Sequence, residues 1–406
     1  MAKENIVVGL DVGTTKVAAT VGLVAEGITK IIGYSRVPNA GVRKGVIVDI
    51  EDTISSISSC LEEAERMSGI PITHAYVSIG GNHIISTLSK GVVAVSRADG
   101  EITGSDVQRV IEAAKTVALP PNREIIHVIP KSFSVDGQTN ITDPTGMSGI
   151  RLESETIVVG ASTSALNNLS KCVHQAGLDV SGVIFSPIAS SKALITKKQK
   201  ELGVLLIDIG GGTTSIAVFE EGDLAHCATI PVGASHITND IAIGLRTSVE
   251  LAEKIKVNYG SAIPAKIPES EKINLANIDP QDNQRIERRY VAEIIHARLI
   301  EIFNLIREEL RKTGRDGMLP AGAVLTGGGA KLEDLVELAK EELRLPAQIG
   351  QVSMQIDGLV DKLNDPVYST SVGLILYGLE NPASVSHISG GNVVEKARSF
   401  FKQFLP

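Results

Sequence analysis

Short runs of aliphatic residues alternate with amphipathic stretches along most of this 406-residue chain. One pattern occurs twice: an apolar run, a turn with an aspartate, glycines and paired threonines, and a second apolar run. The first copy lies at residues 6–21 and the second at 203–219. Because an apolar run interrupted by a glycine-containing turn is typical of two paired strands, each copy predicts a β-hairpin.

The residues of these two turns are suited to binding phosphate. Glycine lets the backbone approach a phosphate closely, exposed amides and hydroxyls bind its oxygens, and an aspartate can hold a magnesium ion through water. Either turn alone is equally compatible with an ordinary hairpin, but two matched copies predict two related lobes that close on one nucleotide. The candidate residues are Asp11, Gly13, Thr14, Thr15 and Lys16 in the first turn and Asp208, Gly210, Gly211, Gly212, Thr213 and Thr214 in the second.

A third glycine-rich turn, Gly327, Gly328 and Gly329, follows the short apolar run 323–325 and precedes a helical pattern at 332–343. A turn of this kind leaves free amides at the start of a helix, where a phosphate or a flat base can lie against the backbone. A purely structural turn is the alternative. Beside the two aspartate turns, we favour a site for the adenosine part of a nucleotide.

The remaining pattern predicts several units. We predict a first-lobe core at 1–83 and 155–200, interrupted by an inserted α+β unit at 84–154, which contains a helix at 105–118 capped by Ser105 with Gln108 and strands at 124–129 and 131–135. The second-lobe core is predicted at 201–232 and 318–371, around an outer unit at 233–317 that includes a long helix at 282–312. A helix at 372–379 returns to the first lobe, and a flexible linker occupies 380–391.

The last segment, 392–406, has the pattern of an amphipathic helix that lies in a membrane interface. Three of the seven phenylalanines fall in its last seven positions. Docking on the protein itself or on a partner is the alternative. The predicted membrane-facing residues are Val393, Val394, Phe400, Phe401, Phe404 and Leu405, with Lys396, Arg398 and Lys402 toward anionic headgroups.

Composition excludes some classes of function. A net charge of −8 gives no broad basic surface, so we expect no nucleic-acid partner. The three cysteines have neither metal-ligand nor CxxC spacing, and no apolar run approaches the ~20 residues that span a bilayer. With no signal-peptide pattern at the start, we expect a cytoplasmic protein.

The paired aspartate turns and the glycine-rich loop resemble those of the actin-like ATPase superfamily, which includes actin, heat-shock chaperones and sugar kinases. Within it, the stretches 44–50, 127–130, 135–137 and 365–374, the position of the insertion and the tethered C-terminus resemble the FtsA family of bacterial cell-division proteins, over nearly the whole chain.

This resemblance implies an α/β, actin-like two-lobe fold of duplicated RNase H-like domains with an α+β subdomain inserted in the first lobe. It implies ATP and Mg²⁺ in the cleft, with Asp11 and Asp208 holding the metal through water and Glu253 and Lys256 contacting ribose and base. A solvated helix face is the alternative reading of that last pair.

The resemblance also implies a place in the cell. It implies self-polymerisation, binding of the C-terminal peptide of the tubulin-like protein FtsZ to the outer unit of the second lobe, and recruitment of later division proteins. Arg288 and Arg298 are our candidates for the FtsZ contact, with surface salt bridges as the alternative. The implied location is the cytoplasmic side of the inner membrane at the division septum.

One position departs from hydrolysing relatives, which place a Glu or Gln before a helix to orient the attacking water. Here Ser186 occupies that position. Because a serine hydroxyl is a poor base, and losing such a group costs ~10²–10⁴ in rate, we expect ATP binding with slow or negligible turnover. The competing hypotheses are a small-molecule kinase of the same superfamily and a pilus-type relative of FtsA.

Overall fold

The computed structural model describes residues 5–381, apart from 26–27, 98, 117–118, 279, 281–283 and 353–355. The predicted membrane-facing tail and nearly all of the predicted linker therefore lie outside the described residues.

Strands and helices are numbered in chain order. The strands are β1 (Asn5–Val12), β2 (Lys16–Ala25), β3 (Ile28–Pro38), β4 (Val42–Arg43), β5 (Val46–Ile47), β6 (His74–Ile79), β7 (Ile85–Ala94), β8 (Arg123–Val135), β9 (Gln138–Ile141), β10 (Arg151–Ser162), β11 (Asp179–Phe185), β12 (Val204–Ile209), β13 (Thr214–Glu220), β14 (Asp223–Ile230), β15 (Lys272–Asn274), β16 (Arg285–Glu287), β17 (Ala323–Thr326), β18 (Ala347–Ile349) and β19 (Ile356–Gly358). The helices are α1 (Ile50–Ser68), α2 (Gly104–Lys115), α3 (Thr163–Gln175), α4 (Ser186–Leu194), α5 (Lys197–Leu202), α6 (Ala234–Leu245), α7 (Val249–Tyr259), α8 (Arg288–Lys312), α9 (Leu335–Leu343), α10 (Val360–Leu363) and α11 (Ser369–Glu380).

Two sheets share one topology, which confirms the prediction of two related lobes. The first has the order β11-β6-β1-β2-β3-β19 and the second β14-β13-β12-β17-β18. In each sheet three consecutive strands are antiparallel, and two later strands add in parallel beside the first of them. The central strands are aliphatic and buried, because helices cover the sheets.

The inserted unit has a four-stranded antiparallel sheet, β7-β10-β8-β9, and α2 packs against β7 and β10. Because β10 runs without a break to Ser162, the predicted end of the insertion at 154 falls inside this strand. It has a small apolar core of its own that includes Ile111, Phe133 and Leu152. The predicted cap of α2 is wrong: the helix begins at Gly104, and Asp106 accepts hydrogen bonds from both the backbone and the hydroxyl of Thr103. Burial opposes ionisation of Asp106, but hydrogen bonds from Thr103, Ser96 and Arg109 hold its pKa below the ordinary value.

Two further predictions need correction. The segment predicted as two strands, 124–129 and 131–135, is the single strand β8, which crosses Pro130 and meets irregular register on its partner β10. The long helix predicted to begin at 282 begins at Arg288, because residues 285–287 pair instead with β15.

The helices α4 and α11 cross where the two lobes join. A Cβ built on Gly373 of α11 would lie 1.9 Å from the carbonyl oxygen of Ala189 in α4, so the two backbones are in direct contact. The first turn of α11 carries three consecutive buried hydroxyls that bond to three different elements. Ser369 bonds to Thr326 of β17, Thr370 to Ser190 of α4, and Ser371 to Thr20 of β2, at 2.8, 2.9 and 2.7 Å. This turn therefore ties α11 to both sheets.

Candidate functional site

The two predicted phosphate turns have the same local structure. In the first, the amide of Gly13 donates to the carbonyl of Lys16 at 2.9 Å, and in the second the amide of Gly210 donates to the carbonyl of Thr213 at 2.9 Å. In both, the aspartate lies on the strand that enters the turn. The duplicated sequence pattern therefore folds into a duplicated turn.

These turns meet across the interface between the lobes. A Cβ built on Gly211 would lie 2.5 Å from Cγ2 of Thr15, and one built on Gly212 would lie 2.8 Å from Oγ1 of Thr14. A side chain at 211 would have to displace Thr15, and one at 212 would have to displace Thr14 and the backbone of Lys44, so the close approach of the lobes favours glycine at both positions.

A cavity of about 450 Å³ opens beside the paired turns. Its lining contains most of the predicted nucleotide residues, namely Asp11, Gly13, Thr14, Thr15, Lys16, Asp208, Gly210, Gly211, Thr213, Glu253, Gly327 and Gly328.

Four predicted residues lie behind this lining. Gly212 contacts the first lobe, and Thr214 is fully buried and donates to the carbonyl of Val232 at 2.8 Å. Gly329 packs against Ile209. Lys256 points toward α6, where its Nζ donates to the hydroxyl of Thr238 at 2.8 Å.

The two aspartates have different surroundings. Asp11 accepts hydrogen bonds from Lys16 Nζ at 2.6 Å and from the hydroxyl of Ser78 at 2.7 Å. Burial, together with the charge of Asp11, raises the pKa of Asp208 to about 6, and Lys16 only partly opposes this. Two carboxylates near one ammonium group are a donor set that fits a divalent cation held through water.

Gly327 contacts one of these carboxylates. Its φ is +84°, and a Cβ there would lie 2.3 Å from Oδ1 of Asp208, so the glycine-rich loop of the second lobe lies directly against the second aspartate. A short 3₁₀ turn at Gly328–Lys331 follows, and α9 begins only at Leu335, three residues later than predicted.

Glu253 and Lys256 lie on one face of α7, as predicted, and their side chains are joined by an ion pair of 2.7 Å. Glu253 lines the cavity. The lysine is instead occupied by this ion pair and by α6, so its predicted contact with ribose or base requires it to move.

Ser186 begins α4 and lines the cavity. The sequence predicted that this serine lies at the start of a helix in the nucleotide site. Its hydroxyl donates to the carbonyl of Ile79 at 3.0 Å. That proton is therefore engaged with the backbone of β6. The oxygen can still accept a hydrogen bond from water, but a neutral hydroxyl is a poor base.

Arg288 and Arg298 are both held in ion pairs on the outer unit. Arg298 makes two bonds to Asp240, of 2.6 and 2.9 Å, and also pairs with Glu301. Arg288 pairs with Glu271 and Glu333.

Several lining residues were not predicted from the sequence. They are Val12, Arg36, Pro38, Gly45, Gly80, Ser215, Pro366, Val367 and Thr370. Ser215 follows the second turn directly and could have been found from it. The stretches 44–50 and 365–374 were used only as evidence of the family resemblance, and no binding role was predicted for their residues. They contain Gly45, Pro366, Val367 and Thr370.

Among the described residues, no helix is both long and apolar enough to cross a membrane. No group of three or more His, Cys, Asp or Glu side chains within the described ranges could hold a metal ion by itself.

Solved structures with the same overall fold are distant in sequence. A structure described as the PilM-PilN type IV pilus biogenesis complex has a TM-score of 0.69 at 16% identity, covering 92% of this chain and 98% of that one. MreB5 of Spiroplasma citri bound to ADP has a TM-score of 0.53 at 15% identity, covering 93% and 99%. With the doubled sheet topology and the paired turns, these define the class: an actin-like, two-lobed α/β protein.

Sequence comparisons identify the family within that class. The family model described as "Cell division protein FtsA" matches residues 205–373, and the model "SHS2 domain inserted in FTSA" matches 81–160. Relatives named cell division protein FtsA are 42% identical in Pseudomonas aeruginosa (93% of this chain, 90% of the relative), 41% in Bacillus subtilis (98% and 89%) and 36% in Escherichia coli K12 (97% and 94%). The chain belongs to the FtsA family of cell-division proteins.

Proposed function

We propose that this division protein is a membrane-tethered, ATP-binding polymer subunit that anchors FtsZ filaments to the inner face of the cytoplasmic membrane at the septum and recruits later division proteins. The observation that carries the nucleotide part is the contact of two matched turns beside one cavity. A triphosphate needs donors on several sides, and two glycine-rich turns with Lys16 supply them.

Each part of the site has a role in this proposal. Amides and hydroxyls of the two turns bind the phosphate oxygens, and Lys16 adds a positive charge. The loop at Gly327 and Gly328 receives the adenosine, with Glu253 beside it. Asp11 and Asp208 would hold Mg²⁺ through water, and the metal would offset the negative charge of the phosphates. Because the turns belong to different lobes, bound nucleotide holds the lobes together.

The tether rests on the sequence of residues 392–406. We expect the full chain to sediment with anionic phosphatidylglycerol vesicles and a chain lacking residues 393–406 to remain in solution. Lys396→Glu with Arg398→Glu is the matched variant, because it keeps the apolar face and reverses the charge; it should bind anionic vesicles far less than the native chain. Equal sedimentation of the truncated and full chains would remove the physical support for the tether.

The FtsZ contact is proposed on the outer unit, around α6 and α8. Ile243 and Tyr290 are exposed apolar side chains there, and Arg298 lies on α8 beside Asp240. We expect Arg298→Ala to weaken binding of the FtsZ C-terminal peptide at least tenfold. Arg97→Ala is the control, since Arg97 is an exposed, ion-paired arginine of the inserted unit. Equal affinity of both variants would exclude Arg298 from this contact.

The division role of the family favours this proposal over a pilus-type function. A small-molecule kinase needs a carboxylate that activates the substrate. The acidic residues of the cavity lining are Asp11, Asp208 and Glu253; the first two adjoin the phosphate turns and the third is paired with Lys256.

A further inference from the structure

The hairpin of β4 and β5 ends in a two-residue turn, Lys44–Gly45. Both residues have positive φ, +51° and +75°, and the strands pair Val42 with Ile47 and Arg43 with Val46. This is the geometry of a two-residue hairpin loop of type I′, which holds its backbone in a fixed shape. Lysine in the left-handed region is strained, so the surrounding contacts must maintain it.

This turn contacts both phosphate turns. The amide of Gly45 donates to Oγ1 of Thr14 in the first lobe at 3.2 Å. From the second lobe, a Cβ built on Gly212 would lie 2.9 Å from both the Cα and the amide nitrogen of Lys44. The turn is therefore in contact with both sides of the proposed nucleotide site at once, and Gly45 lines the cavity.

The same turn contacts the base of the inserted unit. A Cβ built on Gly45 would lie 2.3 Å from the carbonyl oxygen of Gly80 and 2.4 Å from the Cα of Gly81, the two residues that follow β6 and lead into the insertion. Backbone therefore lies against backbone, with no flexible side chain to absorb a displacement. A shift of the turn must move the Gly80–Gly81 segment with it.

His83, a partly buried histidine, lies beside this contact. Both ring nitrogens of His83 are buried and have no hydrogen-bond partner within the described part of the chain. The ring lies beside the backbones of Gly45 and Gly80. Because an unpaired buried polar atom is costly, a small movement that brings a backbone group into hydrogen-bond distance of the ring would be favourable.

We propose that the Lys44–Gly45 turn is a positioning element of the nucleotide site that transmits closure of the lobes to the inserted unit. This rests on the proposed binding of ATP. When the two phosphate turns close on a nucleotide, Thr14 and Gly212 fix the turn between them. The turn then fixes the segment 80–83, from which the inserted sheet begins.

Hydrogen exchange of the full chain, with and without MgATP, tests this coupling. In the native chain we expect ATP to slow amide exchange several-fold in the phosphate turns, 9–17 and 206–215, and also in 79–94. Gly45→Ala should keep the first effect and lose the second, at an ATP concentration that saturates the variant.

Gly69→Ala is the matched control. Gly69 has nearly the same φ, +72°, but a Cβ there meets nothing within 4 Å, so it carries the backbone strain without the collision. It should behave as the native chain does. Should Gly45→Ala fail to fold, Gly81→Ala replaces it, because a Cβ there would lie 2.9 Å from the carbonyl oxygen of Gly45 at the same contact, and Gly81 belongs to neither phosphate turn.

The outcomes separate this inference from the proposed function. ATP-dependent protection of 79–94 that is equal in the native chain and the folded variant would overturn the coupling. So would protection of the phosphate turns alone in the native chain. Absence of any protection in the native chain would overturn ATP binding as well.

Discussion

At the scale of single residues, Ser186 lines the cavity beside the phosphate turns and has no ionisable group that could activate water. A group that activates water needs an acceptor of suitable basicity, which a neutral serine hydroxyl lacks. Here the hydroxyl donates its proton to the carbonyl of Ile79. The structure thus gives Ser186 a contact with the backbone of β6.

We predict slow turnover that does not depend on this hydroxyl. The native chain should hydrolyse ATP at less than ~1 per second, and Ser186→Ala should change that rate by less than about threefold, since a true base contributes ~10²–10⁴. A steady-state phosphate-release assay measures both. A hundredfold loss in Ser186→Ala would assign the serine a catalytic role.

Removing the charge of Asp208 and removing the charge of Asp11 should change the stability of the nucleotide-free protein in opposite directions. Since the pKa of Asp208 is raised to about 6 from 3.8, its ionised form is disfavoured in the fold, and the nucleotide-free protein loses stability as pH rises through this window. Asp208→Asn should therefore stabilise the nucleotide-free chain at pH 7.5, on the order of 1–2 kcal/mol. This gain should disappear near pH 4.

Asp11→Asn is the matched variant for that measurement. It loses the ion pair with Lys16, so it should destabilise the nucleotide-free chain at pH 7.5. Thermal melts from pH 4 to pH 7.5 compare the two variants. If both variants destabilised the chain at pH 7.5, the conclusion that the ionised form of Asp208 is disfavoured in the fold would be contradicted.

At the scale of elements, the α4–α11 crossing joins the lobes through backbone contact and buried hydroxyls. Gly373→Ala should destabilise the protein by about 2–3 kcal/mol because of the collision with Ala189. Helix propensity alone predicts the opposite, a gain of about 1 kcal/mol. Gly244→Ala in α6 is the control: the nearest atom is the flexible end of Ile294, and the change should stay within about 1 kcal/mol. Urea unfolding measures both, and similar values would contradict a tight crossing.

Most of the strands and helices could be predicted from the sequence, and two features of the helices could not. Hairpins, glycine turns and most helices were predictable because apolar period and turn chemistry are local. The cap of α2 was misplaced because two overlapping patterns, Thr103 with Asp106 and Ser105 with Gln108, both fit a capping box. The start of α8 was missed because pairing of β16 with β15 is a tertiary contact that overrides helical propensity.

At the scale of the whole molecule, the two phosphate turns form one site only because the fold brings them into contact beside a single cavity. The sequence predicted two lobes and most of the cavity lining. It could not predict that the Lys44–Gly45 turn lies between the two phosphate turns, because that contact joins residues far apart in the chain. Lys256 shows a second limit of the sequence. Its spacing correctly predicted that it shares a helix face with Glu253, but the sequence did not reveal that its side chain packs on α6.

Equilibrium titration of the full chain with MgATP tests the central claim, that both turns hold one nucleotide. The account predicts one ATP per chain and at least tenfold weaker binding for either Asp11→Ala or Asp208→Ala, because each variant alters the one shared site. Two ATP per chain, or affinity unchanged when either aspartate is removed, would contradict it.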